Sequence, residues 1–324
     1  MTEILQTPKL VTVFGGSGFL GRHVVQALAR RGYLVRVACR RPDLAGYLQP
    51  LGNVGQVQVV QANLRVRWSV DRAVQEADHV VNLVGILFES GRQSFDAVQD
   101  FGARAVAEAA RSVNAGLTHV SAIGADENSE SDYARTKALG EKAVHETVPS
   151  AVILRPSILF GPQDGFFNKF ANMARFSPAL PLIGGGGTKF QPAYVGDVAE
   201  AIARSVEGKL EAGKTYELGG PQVLTFRECL EETLAVIDRK RFLVPAPWWL
   251  ARLKAKVLGL LPNPLLTEDQ VILLQDHNVV SEKAVQDKRT FAGMDIHPAT
   301  LAAILPAYMW RYRPAGQFTR KTAS

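Results

Sequence analysis

Leu10-Val11-Thr12-Val13-Phe14-Gly15-Gly16-Ser17-Gly18-Phe19-Leu20-Gly21 is the stretch that decides the fold. Its first five residues form a short, β-branched, apolar run that does not alternate, the pattern of a strand buried on both faces. Glycines at 15, 18 and 21 follow at once, and the pattern from Leu20 to Arg31, closed by Gly32, predicts a helix. In a strand, turn and helix of this kind, Gly15 lets the chain reverse, Gly18 admits a pyrophosphate, and Gly21 allows helix to pack closely on strand. The anion then meets free N–H groups and the positive end of the helix dipole. Gly15, Ser17, Gly18, Phe19, Leu20 and Gly21 are therefore the expected centre of a dinucleotide site.

Outward from this turn, the runs Leu34 to Ala38, Val57 to Val60, His79 to Val84, Leu117 to Ser121 and Ala151 to Leu154 predict further buried strands. Helical patterns lie between them, notably Ala97 to Val113, and strands alternating with helices imply right-handed crossovers. The expected fold class is α/β: a doubly wound, parallel Rossmann sheet with a smaller, mainly helical C-terminal lobe. After Gly161, Pro and Gly become frequent, and from Phe226 onward the helices are interrupted by Pro245, Pro247, Pro262 and Pro264. The expected boundaries are residues 1–165 and about 190–222 for the dinucleotide domain, about 166–189 and 223–310 for the lobe, and 311–324 for a basic tail. Asp197 is expected to cap a helix beginning at Val198, and Gly184 to Gly187 to form a hairpin or loop leading to Phe190.

The second strand runs through Val35 to Cys39 into Arg40-Arg41, with no acid before Asp43. An Asp or Glu at this place accepts hydrogen bonds from a ribose hydroxyl, whereas an Arg suits a 2′-phosphate. Guanidinium forks match phosphate oxygens two at a time, so NADP(H) is expected over NAD(H); the alternative is a pair of exposed loop arginines. Tyr133 and Lys137 stand four residues apart on a predicted helix and so share a face. An ammonium one turn away favours the phenolate, which fits the phenol for general acid or base work. Ser121, at the end of the fifth strand, is placed to hydrogen-bond the same substrate oxygen.

With 324 residues, 47% of them hydrophobic and 21% charged, and a mean hydropathy of zero, the composition excludes disorder and collagen-like fibres. A chain of this length buries roughly three quarters of its unfolded surface, so neither disulfides nor metals are needed to hold it. Cys39 and Cys229 show no ligand spacing and fit a reducing compartment, and the six histidines form no metal motif. Met1 to Lys9 has no apolar run, so neither a secretory signal nor a transit peptide is expected, and no stretch is long and apolar enough to span a membrane. The net charge of +6 is unevenly placed: Arg239 to Lys256 holds six basic residues and no acidic one, and Arg311, Arg313, Arg320 and Lys321 add four more. Without these ten, 27 basic residues face 31 acidic ones, a balance of −4. Such asymmetry suggests an anionic partner, a membrane surface or an acidic protein face, the alternative being a solvated surface. Aromatic residues are not interleaved with the basic ones as a base-stacking platform needs, and nucleic acid is set aside.

These motifs resemble the short-chain dehydrogenase/reductase superfamily, in its extended and atypical branch, over nearly the whole chain. Besides the glycines, Tyr133 and Lys137, the resemblance rests on Asn82-Leu83-Val84-Gly85, Leu154-Arg155-Pro156, Phe160-Gly161-Pro162, Tyr194-Val195-Gly196-Asp197 and Tyr216-Glu217-Leu218-Gly219-Gly220-Pro221. It implies that Tyr133 is the acid/base, that Lys137 binds the nicotinamide ribose and tunes the tyrosine, and that Ser121 polarises the substrate oxygen. It also implies cofactor contacts from Asn63, Leu64, Val84, Gly85 and Pro156. Within the superfamily, His119 to Ala125, Lys137 to Lys142, Leu265 to Val271 and Asp276 to Ser281 are similar to the nucleotide-binding accessory subunit of respiratory complex I and its bacterial relatives. That group is implied to hold NADPH without obvious turnover, at the junction of the peripheral arm with the membrane. Two residues depart from the extended-family pattern: Gln99 stands where active relatives carry Asn, and Asn63 where an adenine-contacting Asp is common.

The segment Pro247 to Leu261 places Trp249, Leu253, Val257, Leu260 and Leu261 on one arc, flanked by Arg252, Lys254 and Lys256. Such an arc either packs inward as an ordinary lobe helix or lies on an anionic membrane surface. Two functions follow. One is an NADP(H)-binding accessory protein of the membrane NADH:quinone oxidoreductase, peripheral on the inner face of the cytoplasmic membrane, with complex I subunits as partners. The other is an active NADPH-dependent reductase, dehydrogenase or sugar-nucleotide-type epimerase working through Tyr133 and Lys137.

Overall fold

The computed structural model describes residues 8–259, 264 and 266–315. Its strands are β1 (Leu10–Phe14), β2 (Leu34–Cys39), β3 (Val57–Gln61), β4 (His79–Asn82), β5 (Gly116–Val120), β6 (Val152–Pro156), β7 (Leu159–Phe160), β8 (Ala179–Ile183), β9 (Lys189–Phe190), β10 (Ala193–Tyr194), β11 (Thr215–Leu218), β12 (Leu224–Thr225) and β13 (Phe242–Ala246). Its helices are α1 (Phe19–Ala29), α2 (Arg67–Val74), α3 (Phe101–Ser112), α4 (Asp132–Thr147), α5 (Phe167–Phe176), α6 (Val195–Val206), α7 (Phe226–Val236), α8 (Trp248–Leu258), α9 (Glu268–Leu273), α10 (Glu282–Gln286) and α11 (Leu301–Met309). Two compact units divide the chain: Met1–Arg155 with Val198–Glu217, and Pro156–Asp197 with Leu218–Ser324.

The first unit carries a seven-stranded sheet in the order β11-β6-β5-β4-β1-β2-β3. The pairs β3–β2, β2–β1, β1–β4, β4–β5 and β5–β6 are all parallel. Crossovers run outward from β1 in both directions, so the switch point lies between β1 and β4, where a doubly wound sheet opens a crevice at its carboxyl edge. Val11, Val13, Val35, Val37, Val80 and Val81 are buried, which is why these strands do not alternate. Phe14, Val80 and Leu117 pack with Val106, Ala110 and Val144 of α3 and α4, whose alanine-rich faces let helix approach sheet. The predicted helix at Ala97 is not uniform: Asp96–Asp100 forms a π-turn before α3 begins at Phe101. Periodicity cannot distinguish the two, because both keep Val98 and Gln99 inward.

The second unit is built on aromatic packing. Phe166, Phe170, Phe190 and Phe226 meet with centroids 5.2–6.4 Å apart, mostly edge to face. Short pairs β7–β10, β9–β12 and β8–β13 frame this core. Gly184–Gly186 makes a short 3₁₀ turn leading on to Phe190 in β9. The helix does not begin at Val198: α6 starts at Val195, so Asp197 lies within its first turn, and its carboxylate accepts the Ala299 N–H at 2.7 Å, which fixes the segment before α11. On α8 the predicted arc faces outward at its described positions. Ala251 and Ala255 are buried, whereas Trp249 is 68% and Leu253 56% exposed. The Val257 side chain, Leu260, Leu261 and Pro262 lie outside the described residues, as do Leu265 and, in the tail, Arg320 and Lys321.

Candidate functional site

A cleft of about 320 Å³ opens at the carboxyl ends of β1 and β2 and beyond β4, at the switch point. Gly15, Ser17, Gly18, Phe19, Leu20 and Gly21 form its floor. Gly15 has φ +78°, a conformation that strains any residue with a Cβ. A Cβ on Gly21 would come within 2.3 Å of Gly15 O and 2.5 Å of the Gly16 backbone, so the helix can seat on the turn only with glycine there. No side chain caps α1 at Gly18, and its first turn holds no acid. Its N–H groups and dipole therefore favour an anion. These residues fit the pyrophosphate of a dinucleotide by shape and by donor chemistry.

Asn63, Leu64, Val84 and Gly85 also line the cleft, as does Arg40. Pro156 ends β6, belongs to the second unit and is not among the lining residues. Beyond β2 the cleft continues into a recess lined by Ser17, Arg40, Arg41, Leu44, Ala45 and Tyr47. The two arginines differ in their engagement. Arg41 is ion-paired with Asp43 at 2.7 Å, both exposed, whereas Arg40 donates to the neutral Gln93 Oε1. Tyr47 was not foreseen: its hydroxyl donates to Ser17 O at 2.5 Å, and the Arg22 guanidinium lies 5.2 Å from its ring centre. It sits in a 3₁₀ turn with no periodicity to mark it.

Tyr133 and Lys137 share α4, whose start is fixed by Ser131 Oγ accepting the Ala134 N–H at 3.2 Å. Tyr133 is half-buried with its ring edge-on to Phe95, centroids 6.0 Å apart. Lys137 is buried, donates from Nζ to Val120 O at 3.2 Å, and reaches within 3.1 Å of the place a Cβ on Gly85 would occupy. Burial pushes its ammonium down to about 8, so it gives up a proton far more readily than an exposed lysine.

Three polar atoms on neighbouring residues are buried without a hydrogen-bond partner: Ser121 Oγ, Gln99 Oε1 and His119 Nε2. Gln99 enters from the π-turn and donates its amide to Ile86 O at 3.0 Å. The state of His119 follows from its neighbours. Asn82 Oδ1 accepts the Val84 N–H at 3.1 Å, so the Asn82 amide nitrogen donates to His119 Nδ1 at 3.2 Å. The neutral ring must then carry its proton on Nε2. Burial holds this imidazole down at about 3, so it stays neutral. Asn82 and His119 thus brace the Val84-Gly85 wall of the cleft, a role that only their cross-strand register on β4 and β5 reveals.

The profile of the NAD dependent epimerase/dehydratase family matches residues 11–219. NADH dehydrogenase [ubiquinone] 1 alpha subcomplex subunit 9, mitochondrial, of Arabidopsis thaliana is 34% identical, over 97% of this chain and 81% of that protein. The ceramide reductase of Caulobacter vibrioides is 37% identical over 54% of each chain. Among solved structures, dTDP-glucose 4,6-dehydratase from Bacillus anthracis in complex with NAD shares the fold at TM-score 0.70 and 16% identity, covering 94% of this chain and 96% of that one.

Proposed function

This chain belongs to the NAD dependent epimerase/dehydratase family, and from that premise we propose that it is an NADP(H)-holding accessory protein of the membrane NADH:quinone oxidoreductase. The observation that carries this reading is the end-to-end similarity to the Arabidopsis complex I subunit together with a fully formed glycine cradle. Gly15, Ser17, Gly18, Phe19, Leu20 and Gly21 would hold the pyrophosphate, Arg40 and Arg41 the 2′-phosphate, and Asn63 and Leu64 the adenine side. Val84, Gly85, Tyr133 and Lys137 would hold the nicotinamide end. A ligand that binds only the folded chain stabilises it by about 4 kcal/mol at a thousandfold excess over its Kd, so no chemistry is needed for the cofactor to matter. Complex I-type subunits are the proposed partners, on the inner face of the membrane. The exposed Trp249 and Leu253 on a helix flanked by basic residues also suit an anionic membrane surface.

Extraction of the native membrane in mild detergent, followed by a native gel and mass spectrometry, tests this. The chain is expected in the band of the NADH:quinone oxidoreductase, with NADPH released from it on denaturation. Its absence from that band while the core enzyme is intact would overturn the reading.

A second reading, an active NADPH-dependent reductase, is favoured by the depressed Lys137 ammonium and the unpartnered Ser121 hydroxyl. A bound nicotinamide would supply hydride; Ser121 would orient the substrate oxygen, and Tyr133 would give it a proton. Single-turnover oxidation of bound NADPH by a panel of carbonyls, abolished in Tyr133→Phe, would establish it. No oxidation by any of them would dismiss it.

A further inference from the structure

The segment between β4 and the π-turn forms a strap tied at several points of the cleft. Ser90 and Gln93 pair as an isolated antiparallel bridge, with N–H···O distances of 3.0 Å in both directions. Gly91 supplies the left-handed φ of +58° that so tight a turn requires. Arg65 Nη1 donates to Arg92 O at 2.8 Å, and Glu89 Oε1 accepts the Phe95 N–H at 2.8 Å. At its near end Phe95 is buried against Tyr133, and at its tip Gln93 Oε1 takes a hydrogen bond from Arg40. One short segment is therefore bound at once to the arginine at the end of β2 and to the phenol on α4.

We propose that Gln93 is a cofactor-specificity residue: a 2′-phosphate on the bound dinucleotide takes Arg40 from Gln93 and frees the strap tip, whereas a 2′-hydroxyl does not. This rests on the dinucleotide reading above. A phosphate dianion adds a full opposite charge and can accept two guanidinium N–H groups at once, whereas the Gln93 amide oxygen is neutral and takes a single N–H from Arg40. A ribose hydroxyl offers no such gain. Arg41 does not make this exchange as readily, because its present partner is the Asp43 carboxylate. The Phe95–Tyr133 packing and the Arg65–Arg92 hydrogen bond do not depend on Arg40, so the release is confined to the Ser90–Gln93 turn. The strap thereby reports which dinucleotide is bound, and Leu87, 61% exposed at its base, lies where a partner can sense it.

The test measures Kd for NADPH and NADH, and hydrogen exchange over residues 87–95, on the whole chain. NADPH, and 2′-AMP alone, should speed exchange at the Ser90 and Gln93 amides, while NADH and 5′-AMP should leave it unchanged. Gln93→Ala frees Arg40 and should tighten NADPH roughly three- to tenfold, and Gln93→Glu should weaken it by about tenfold or more, neither altering NADH. Both substitutions are at a partly exposed loop position, so the fold survives them. Equal shifts for both dinucleotides, no shift in either variant, or equal exchange with NADPH and NADH would overturn the proposal. Failure of the wild-type chain to bind either dinucleotide would overturn the dinucleotide reading and this inference with it.

Discussion

Asp164 and Lys137 are equally withdrawn from water, at 4% and 5% exposure, yet their surroundings are arranged in opposite ways. Around Asp164, in the second unit, hydrogen bonds close on one another. Its carboxylate accepts from Tyr308 Oη at 2.6 Å, from Asn168 Nδ2 at 3.1 Å, and from the N–H groups of Phe166 and Asn168 at 3.0 and 3.1 Å. Asn168 Oδ1 in turn accepts from Tyr312 Oη at 2.9 Å and from Arg311. The knot ties the loop before α5 to the residues that end α11. Around Lys137, in the first unit, Gln99, His119 and Ser121 each keep one buried polar atom unpaired. A buried group without a partner is costly and persists where it serves a ligand or a reaction, whereas a closed network serves the fold. The contrast marks the Lys137 cluster as the candidate for chemistry and the Asp164 cluster as a brace.

The largest effect that would break this comparison is at the brace. Asp164→Ala leaves Tyr308, the Asn168 amide and the backbone N–H groups of Gly161, Phe166 and Asn168 without their acceptor and should cost about 3 kcal/mol or more in denaturant unfolding. NADPH affinity, measured below the unfolding transition, should be unchanged. Tyr308→Phe removes one bond of the set and should cost less, on the order of 1–2 kcal/mol. If Asp164→Ala weakened NADPH while leaving stability intact, the knot would be functional and the contrast wrong.

At Lys137 the sign reverses. The folded-state value of about 8 lies below the ordinary 10.5, so below pH 8 the lysine is charged in both states and the folded chain bears the whole cost of burying it. That cost is on the order of 3 kcal/mol. Between about pH 8 and 10.5 the folded state has released the proton and the unfolded state has not, so stability should rise with pH across this window. Lys137→Met should therefore raise stability at pH 7 by up to about 3 kcal/mol, erase the alkaline rise and weaken NADPH binding. A destabilised Met variant would mean that the ammonium is part of the brace after all.

How much of this was legible in the sequence differs between the two clusters for a physical reason. The glycine turn, the strands and the Tyr133/Lys137 pair are local patterns, fixed by spacings of three or four residues along one element. The parallel sheet followed from them, because alternation of strand and helix leaves few topologies. The Asp164 knot spans 144 residues to Tyr308, and no periodicity records such a pairing. Gln93, partly exposed in a loop, and Tyr47, exposed on a 3₁₀ turn, were likewise hidden, since the meaning of each comes from the arginine it meets. On α8 the arc of Trp249 and Leu253 was visible, but which side it faced was not. Ala251 and Ala255, being small, fill the inward side without registering as a hydrophobic stripe.

The smallest effect, and the sharpest test, compares two hydroxyls three residues apart. Thr118 on β5 is fully buried, and its Oγ1 meets His79 Nε2 at 2.8 Å and Ser205 Oγ at 2.7 Å. Ser121, just past the end of the same strand, is almost as buried and bonds to nothing through Oγ. Thr118→Val should cost about 1–3 kcal/mol, because two partners lose their bond, whereas Ser121→Ala should change stability by less than about 1 kcal/mol in either direction. If Ser121 serves a substrate oxygen, its loss should appear in single-turnover oxidation of bound NADPH and not in unfolding. A Ser121→Ala variant as destabilised as Thr118→Val would show that the hydroxyl is paired in solution. The chemical cluster would then be another brace.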